Sequence, residues 1–131
     1  MNLADINSIK SIAYSLLGKP YVYGGSSING FDCSGFVQYV YSLVGVGISR
    51  STYTQLYDGV GVSYADAQPG DIVSYGYNGY VSHSALYIGN GMIVHASTPE
   101  LGIRVDSMYI MPIVSVRRGV YEIIKCWYSL L

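Results

Sequence analysis

Three side chains in this 131-residue chain have the types that nucleophilic acyl transfer needs: Cys33, His83 and His95. A thiolate attacks a carbonyl carbon, an imidazole takes the thiol proton, and a second imidazole can hold the first in one tautomer. Each residue also has a plain structural reading. A lone cysteine is usually a small buried hydrophobe, and a lone histidine on a strand is usually a satisfied core or surface group. The surrounding sequence must decide whether the three can meet.

Cys33 lies in Gly30-Phe31-Asp32-Cys33-Ser34-Gly35-Phe36-Val37. Phe36, Val37, Val40, Leu43 and Val44 recur at helical spacing, so a helix is expected here, ending near Gly45-Val46-Gly47. Asp32 is a natural N-cap, with a carboxylate able to accept from the free N–H groups two and three residues on. Cys33 then opens the first turn, where the positive end of the helix dipole favours a thiolate.

Both histidines of the chain fall in Ser82-His83-Ser84-Ala85-Leu86-Tyr87-Ile88-Gly89-Asn90-Gly91-Met92-Ile93-Val94-His95-Ala96. Asn-Gly between two alternating runs signals a hairpin. A regular two-residue turn at Asn90-Gly91 sets His95 opposite Leu86, and the rings point to opposite faces. A three-residue loop, Gly89-Asn90-Gly91, sets His95 opposite Ala85, which shares a face with His83. The rings are then diagonal neighbours, roughly 7–8 Å apart at the backbone. The expectation is the three-residue loop, or a bulge that restores the same parity.

The rest of the chain supplies the frame. Ile6, Ile9, Ile12, Ala13, Leu16 and Leu17 mark an amphipathic first helix, stopped by Gly18 and Pro20. Tyr21-Val22-Tyr23 reads as a short extended piece. Thr52 followed by Gln55 matches a capping box and a short helix. Pro69-Gly70-Asp71 is a turn before a strand at Ile72, Val73 and Tyr75, and Gly76-Tyr77-Asn78-Gly79 reads as a loop. Strands are expected at Ser82 to Ile88, Met92 to Ala96, Ile103 to Val105 and Ile113 to Arg117. Helices first and strands after describe an α+β fold with an antiparallel sheet, not a βαβ repeat.

Composition narrows the function classes. Half the chain is apolar, 11% is charged and the net charge is -1. That suits a single folded domain over 1–131 and gives no electrostatic footprint for nucleic acid. The fifteen tyrosines form no repeat and read as groove and interface residues. No apolar run reaches the ~20 residues of a membrane span. No basic-then-apolar leader opens the sequence, which suits either a protein acting where it is made or one domain of a longer chain. Cys126, in Lys125-Cys126-Trp127-Tyr128, reads as structural; a bridge from it to Cys33 would destroy the nucleophile. Two cysteines and two histidines could also bind zinc, but their spacing resembles no structural zinc site, so no metal or other cofactor is expected.

From Tyr21 to Arg117 the chain resembles the NlpC/P60 family of papain-like cysteine peptidases. The resemblance rests on Tyr21-Val22-Tyr23-Gly24-Gly25, Asp32-Cys33-Ser34-Gly35-Phe36-Val37, Arg50-Ser51-Thr52, Pro69-Gly70-Asp71 and the His83–Ala96 hairpin, in the family's order and approximate spacing. It implies Cys33 as nucleophile, His83 as general base and His95 as the residue orienting that base. It also implies Tyr21 near the oxyanion position, with Asp32 and Ser34 lining the groove for the peptide N-terminal to the cleaved bond. The substrate implied is the stem peptide of bacterial peptidoglycan, cut at a γ-D-glutamyl–diamino acid bond such as D-Glu–meso-diaminopimelate. The implied place of action is the cell wall, outside the cell. Two departures stand out: Ser84-Ala85 where the family commonly has Val-Gly, and an apolar tail over 118–131 that could contact a partner. Competing readings are a silent module that binds stem peptides, and a Cys-His amidase or acyltransferase on the same fold.

Overall fold

The computed structural model describes residues 3–119. Cys126 and the tail beyond Gly119, with the roles expected for them, lie outside the described residues. Helix α1 spans Leu3–Ser15, and a small hairpin of β1 (Ser26–Ser27) and β2 (Gly30–Phe31) precedes α2 (Cys33–Leu43) and α3 (Thr52–Gln55). Then come β3 (Val60–Val62), one turn of 3-10 helix at Tyr64–Asp66, β4 (Ile72–Tyr77), β5 (Tyr80–Gly89), β6 (Met92–Ala96), β7 (Ile103–Ser107) and β8 (Ile113–Arg118). Strands β3 to β8 form one six-stranded sheet ordered β3-β8-β4-β5-β6-β7, with every pairing antiparallel. The α+β expectation holds.

The expected apolar stripes do the packing. Ile9, Ala13 and Leu16 of the α1 segment and Phe36, Val37, Val40 and Tyr41 of α2 are buried against Ile72, Leu86, Ile88, Val94, Ala96 and Ile103 on one face of the sheet. A fully buried side chain of this size stabilises by about 1.5–3 kcal/mol, so this layer fixes where α2 begins. The Tyr41 hydroxyl donates to the carbonyl of Gly70 and pins the helix to the turn before β4. On the opposite face, Val73, Tyr75, Ala85, Ile93, Met108 and Val116 form a second buried cluster.

The outer strand β7 is held on its free side by the chain leaving α1. Gly18 N–H donates to Ile103 O at 3.0 Å, and Ile103 N–H donates to Lys19 O at 3.0 Å. Those bonds fasten the sheet edge to the helical layer.

Local patterns mispredicted two details. The Gly76–Gly79 segment is a tight hairpin, with β4 running to Tyr77 and Asn78 and Gly79 in the left-handed region. The capping box at Thr52 does not form: Ser51 is the N-cap and makes no side-chain cap bond. Gln55 is fully buried instead, and its Nε2 donates to Ser34 O at 3.0 Å and Ser49 O at 2.8 Å. A buried carbonyl and a part-buried one take the amide's hydrogens in place of the helix end.

Candidate active site

Asp32 caps α2 as its sequence requires. It is extended (φ -88°, ψ 179°), and its Oδ1 accepts from Gly35 N–H at 2.7 Å. Gly35 is obligatory: a Cβ there would lie 2.1 Å from Gly25 O and 2.8 Å from Asp32 Oδ1. The first turn thus packs directly on the loop that follows Tyr21. Arg50 clamps the same corner, with Nη1 3.0 Å from Asp32 Oδ1, Nη2 2.9 Å from Oδ2, and Nη1 3.0 Å from Ser34 Oγ. This bidentate pair was not singled out in the sequence, where Arg50 stood only as part of a motif.

Cys33 is unbridged and buried. Its sulfur lies against β5, where the backbone N–H of Ser84 bonds to it. The β5–β6 ladder beside it runs from Gly89 opposite Met92 to Leu86 opposite Val94. Burial pushes the thiol above its ordinary value; the Ser84, Ser34 and Cys33 backbone donors pull the other way, and Asp32 adds to the rise. The donors at the helix start and on β5 therefore offset part of the burial penalty.

The hairpin takes the bulged form of the expected register. The turn is Asn90-Gly91, both at positive φ, but the ladder shifts between Tyr87 and Gly89. With Leu86 opposite Val94, His95 has the parity of Ala85, which puts the rings on one face. His83 Nε2 and His95 Nδ1 are 2.7 Å apart, and the rings meet edge to face. Tyr75, directly across from His83, stacks its ring at 6.0 Å and donates its hydroxyl to Met108 O. Bulges at Ser74/Tyr75 and Tyr75/Gly76 break the ladders on both sides of β4 there. Bulges of this kind re-aim side chains beside a site.

Burial, then the neighbouring His95, lowers the His83 pKa to about 4. His95 is also lowered, by burial first, with Asp106 opposing and Arg104 assisting. Burial thus disfavours the charged form at all three groups, both rings and the thiol. Asp106 was missed in the sequence. Its Oδ2 is 2.7 Å from His95 Nε2 and 3.0 Å from Arg104 Nε.

Tyr21 joins the same corner through a parallel bridge to Phe31. Its phenol is held protonated by burial and by the nearby Cys33 and Asp32. The structure thus groups Tyr21, Asp32, Cys33 and Ser34 at the α2 start, and His83 with His95 on the hairpin beside it. Among the described residues, no three His, Cys, Asp or Glu side chains form a metal-holding group, and no helix is long and apolar enough to cross a membrane.

A cysteine opening a helix that packs on an antiparallel sheet, beside a hydrogen-bonded histidine pair, is the layout of a papain-like α+β fold. The chain belongs to the NlpC/P60 family, whose model matches residues 18–116. It is 35% identical over 106 residues to the probable endopeptidase p60 of Listeria grayi, covering 81% of this chain and 20% of that protein. An NlpC/P60 family protein from Bacillus cereus superposes with TM-score 0.83 at 30% identity, over 88% of this chain and 40% of the other. The peptidoglycan hydrolase RipB of Mycobacterium tuberculosis superposes with TM-score 0.79 at 32% identity, over 90% and 68%. The chain spans from 17% to 52% of the length of such curated relatives.

Proposed function

We propose that this domain is a cysteine endopeptidase of bacterial cell-wall stem peptides, cutting γ-D-glutamyl–diamino acid bonds of the D-Glu–meso-diaminopimelate type. The observation carrying this reading is the Ser84 N–H bond to the Cys33 sulfur, one residue from a His83 that is itself bonded to His95. The names of its relatives, endopeptidases and a peptidoglycan hydrolase, support the substrate class.

In this mechanism the Cys33 proton passes to His83 as sulfur attacks the carbonyl carbon. His83 gives its Nε2 to His95, which leaves Nδ1 as the base. The backbone N–H of Cys33 and the Tyr21 hydroxyl hold the developing oxyanion; one such donor is worth about 10²–10³ in rate. His83 then protonates the leaving amine, and water, activated by the same ring, releases the acyl group. Asp32 and Ser34, held by Arg50, line the groove for the residues before the cut bond. On this reading the domain acts at the cell wall, with the stem peptide as its partner.

Digestion of purified muropeptides, with product masses read out, tests reaction, bond and substrate together. The wild-type domain should release fragments split between D-Glu and the diamino acid, and Cys33→Ala should release none. Intact muropeptides with the wild type, or unchanged cleavage by Cys33→Ala, would overturn the proposal.

A further inference from the structure

We infer that Asp106, anchored by Arg104, is the outer member of a four-residue relay and the positioning residue that sets the tautomers of His95 and His83. The inference rests on the peptidase reading only for what the relay is used for.

The argument is a count of protons. Asp106 Oδ2 lies 2.7 Å from His95 Nε2. An ionised carboxylate only accepts, so Nε2 of His95 carries the hydrogen. A neutral imidazole has one N–H, so His95 Nδ1 is left as an acceptor. His83 Nε2 lies 2.7 Å from that nitrogen and must therefore be the donor. The single hydrogen of His83 is then on Nε2, and its Nδ1 holds a free lone pair. That is the state a base facing a thiol needs. Without Asp106, His95 is free to protonate on Nδ1, and the pattern can invert until His83 Nδ1 carries a hydrogen and cannot act as base.

The surroundings keep this order. His95 is 2% exposed, so its far nitrogen has no ready access to water as a substitute partner. Arg104 stands directly opposite His95 in the β6–β7 register, and its Nε lies 3.0 Å from Asp106 Oδ2. The same cation disfavours a second proton on His95. The titratable groups facing the two rings are Tyr75 from β4 and Asp106 with Arg104 from β7, while the Cys33 sulfur of α2 lies against Ser84, next to His83 in sequence. During attack His83 gains the sulfur's proton on Nδ1 and becomes a cation. Asp106 stabilises that charge through His95, and no proton need leave His95.

Two measurements test the relay. NMR of the wild-type protein with ¹⁵N-labelled histidine, at pH 7.5, should show both rings protonated at Nε2 only. A hydrogen on Nδ1 of either ring would overturn the inference, and this readout needs no substrate. Asp106→Asn should then lower kcat about 10–100-fold, the range known for lost outer partners of metal-bound imidazoles, with KM within about twofold. The pH midpoint for Cys33 alkylation by iodoacetamide should move upward in the same variant. An unchanged kcat and alkylation profile in folded Asp106→Asn would overturn it; if that variant does not fold, the labelled wild type decides. Correct tautomers in a wild type that leaves muropeptides intact would support the relay and count against the peptidase reading.

Discussion

His83 Nε2 and His95 Nδ1 are 2.7 Å apart on neighbouring strands, although twelve residues separate them in sequence. The contact assigns unequal roles, because only His83 sits beside the residue that touches the Cys33 sulfur. His83→Ala should lower kcat/KM on muropeptides by about 10²–10⁴, the usual worth of a general base. His95→Ala should cost less, since it orients without carrying the proton. Steady-state kinetics of both variants check the order, and a larger loss at His95 would contradict the assignment.

Stability should fall with acid through His83. Its folded-state pKa is about 4, against an ordinary 6.5. Between those values the unfolded chain binds a proton that the folded chain refuses, so stability rises with pH over this window and is lost as pH falls through it. The full effect is about 3 kcal/mol. Urea denaturation at pH 4.5 and 7 should show a smaller pH difference in His83→Gln than in the wild type. An equal difference would mean that His83 titrates normally.

Gly35→Ala should damage the site more than its size suggests. The new methyl would meet the backbone oxygen of Gly25 at 2.1 Å and the capping Asp32 Oδ1 at 2.8 Å. Forced overpacking costs about 1–3 kcal/mol. Thermal unfolding should register that loss, and Cys33 alkylation should change with it because the first turn moves. A variant identical to the wild type in both would show that the Gly25 loop is softer than its packing implies.

Ser74 and Ser84, paired across β4 and β5, are both fully buried, and neither hydroxyl has a hydrogen-bond partner among the described residues. An unpaired buried hydroxyl costs about 1–3 kcal/mol. Ser74→Ala should therefore raise the unfolding midpoint in urea. A fall would show that the hydroxyl is satisfied in solution.

Much of the nucleophile's setting could be read locally. Asp32, Cys33 and Gly35 announce a capped helix start because caps depend on residues three or four apart. The hairpin parity was also legible, since a period of two leaves only two choices. Asp106 was not legible. It meets His95 only because β7 pairs with β6 in a particular register, and nothing in Ile103-Arg104-Val105-Asp106 names its neighbour. The one usable sign was two charged residues alternating with two apolar ones, which marks a polar face but no partner. Gln55 misled for the same reason: a local capping pattern gave way to carbonyls at Ser34 and Ser49 that only the folded chain brings near. The helix-dipole argument for the Cys33 thiolate could be made from sequence, whereas the burial that raises the thiol could not.

The two backbone bonds joining Gly18 and Lys19 to Ile103 have a practical consequence for anyone trimming this domain. The family match begins at residue 18 and leaves out the first helix, which contributes no atom to the chemistry. Gly18 and Lys19, the first residues of that match, hold the border strand on which Asp106 rides. A minimal fragment cut at the family boundary would keep those bonds and every reactive group, yet lose the buried Ile9, Ala13 and Leu16 layer from which that clasp emerges.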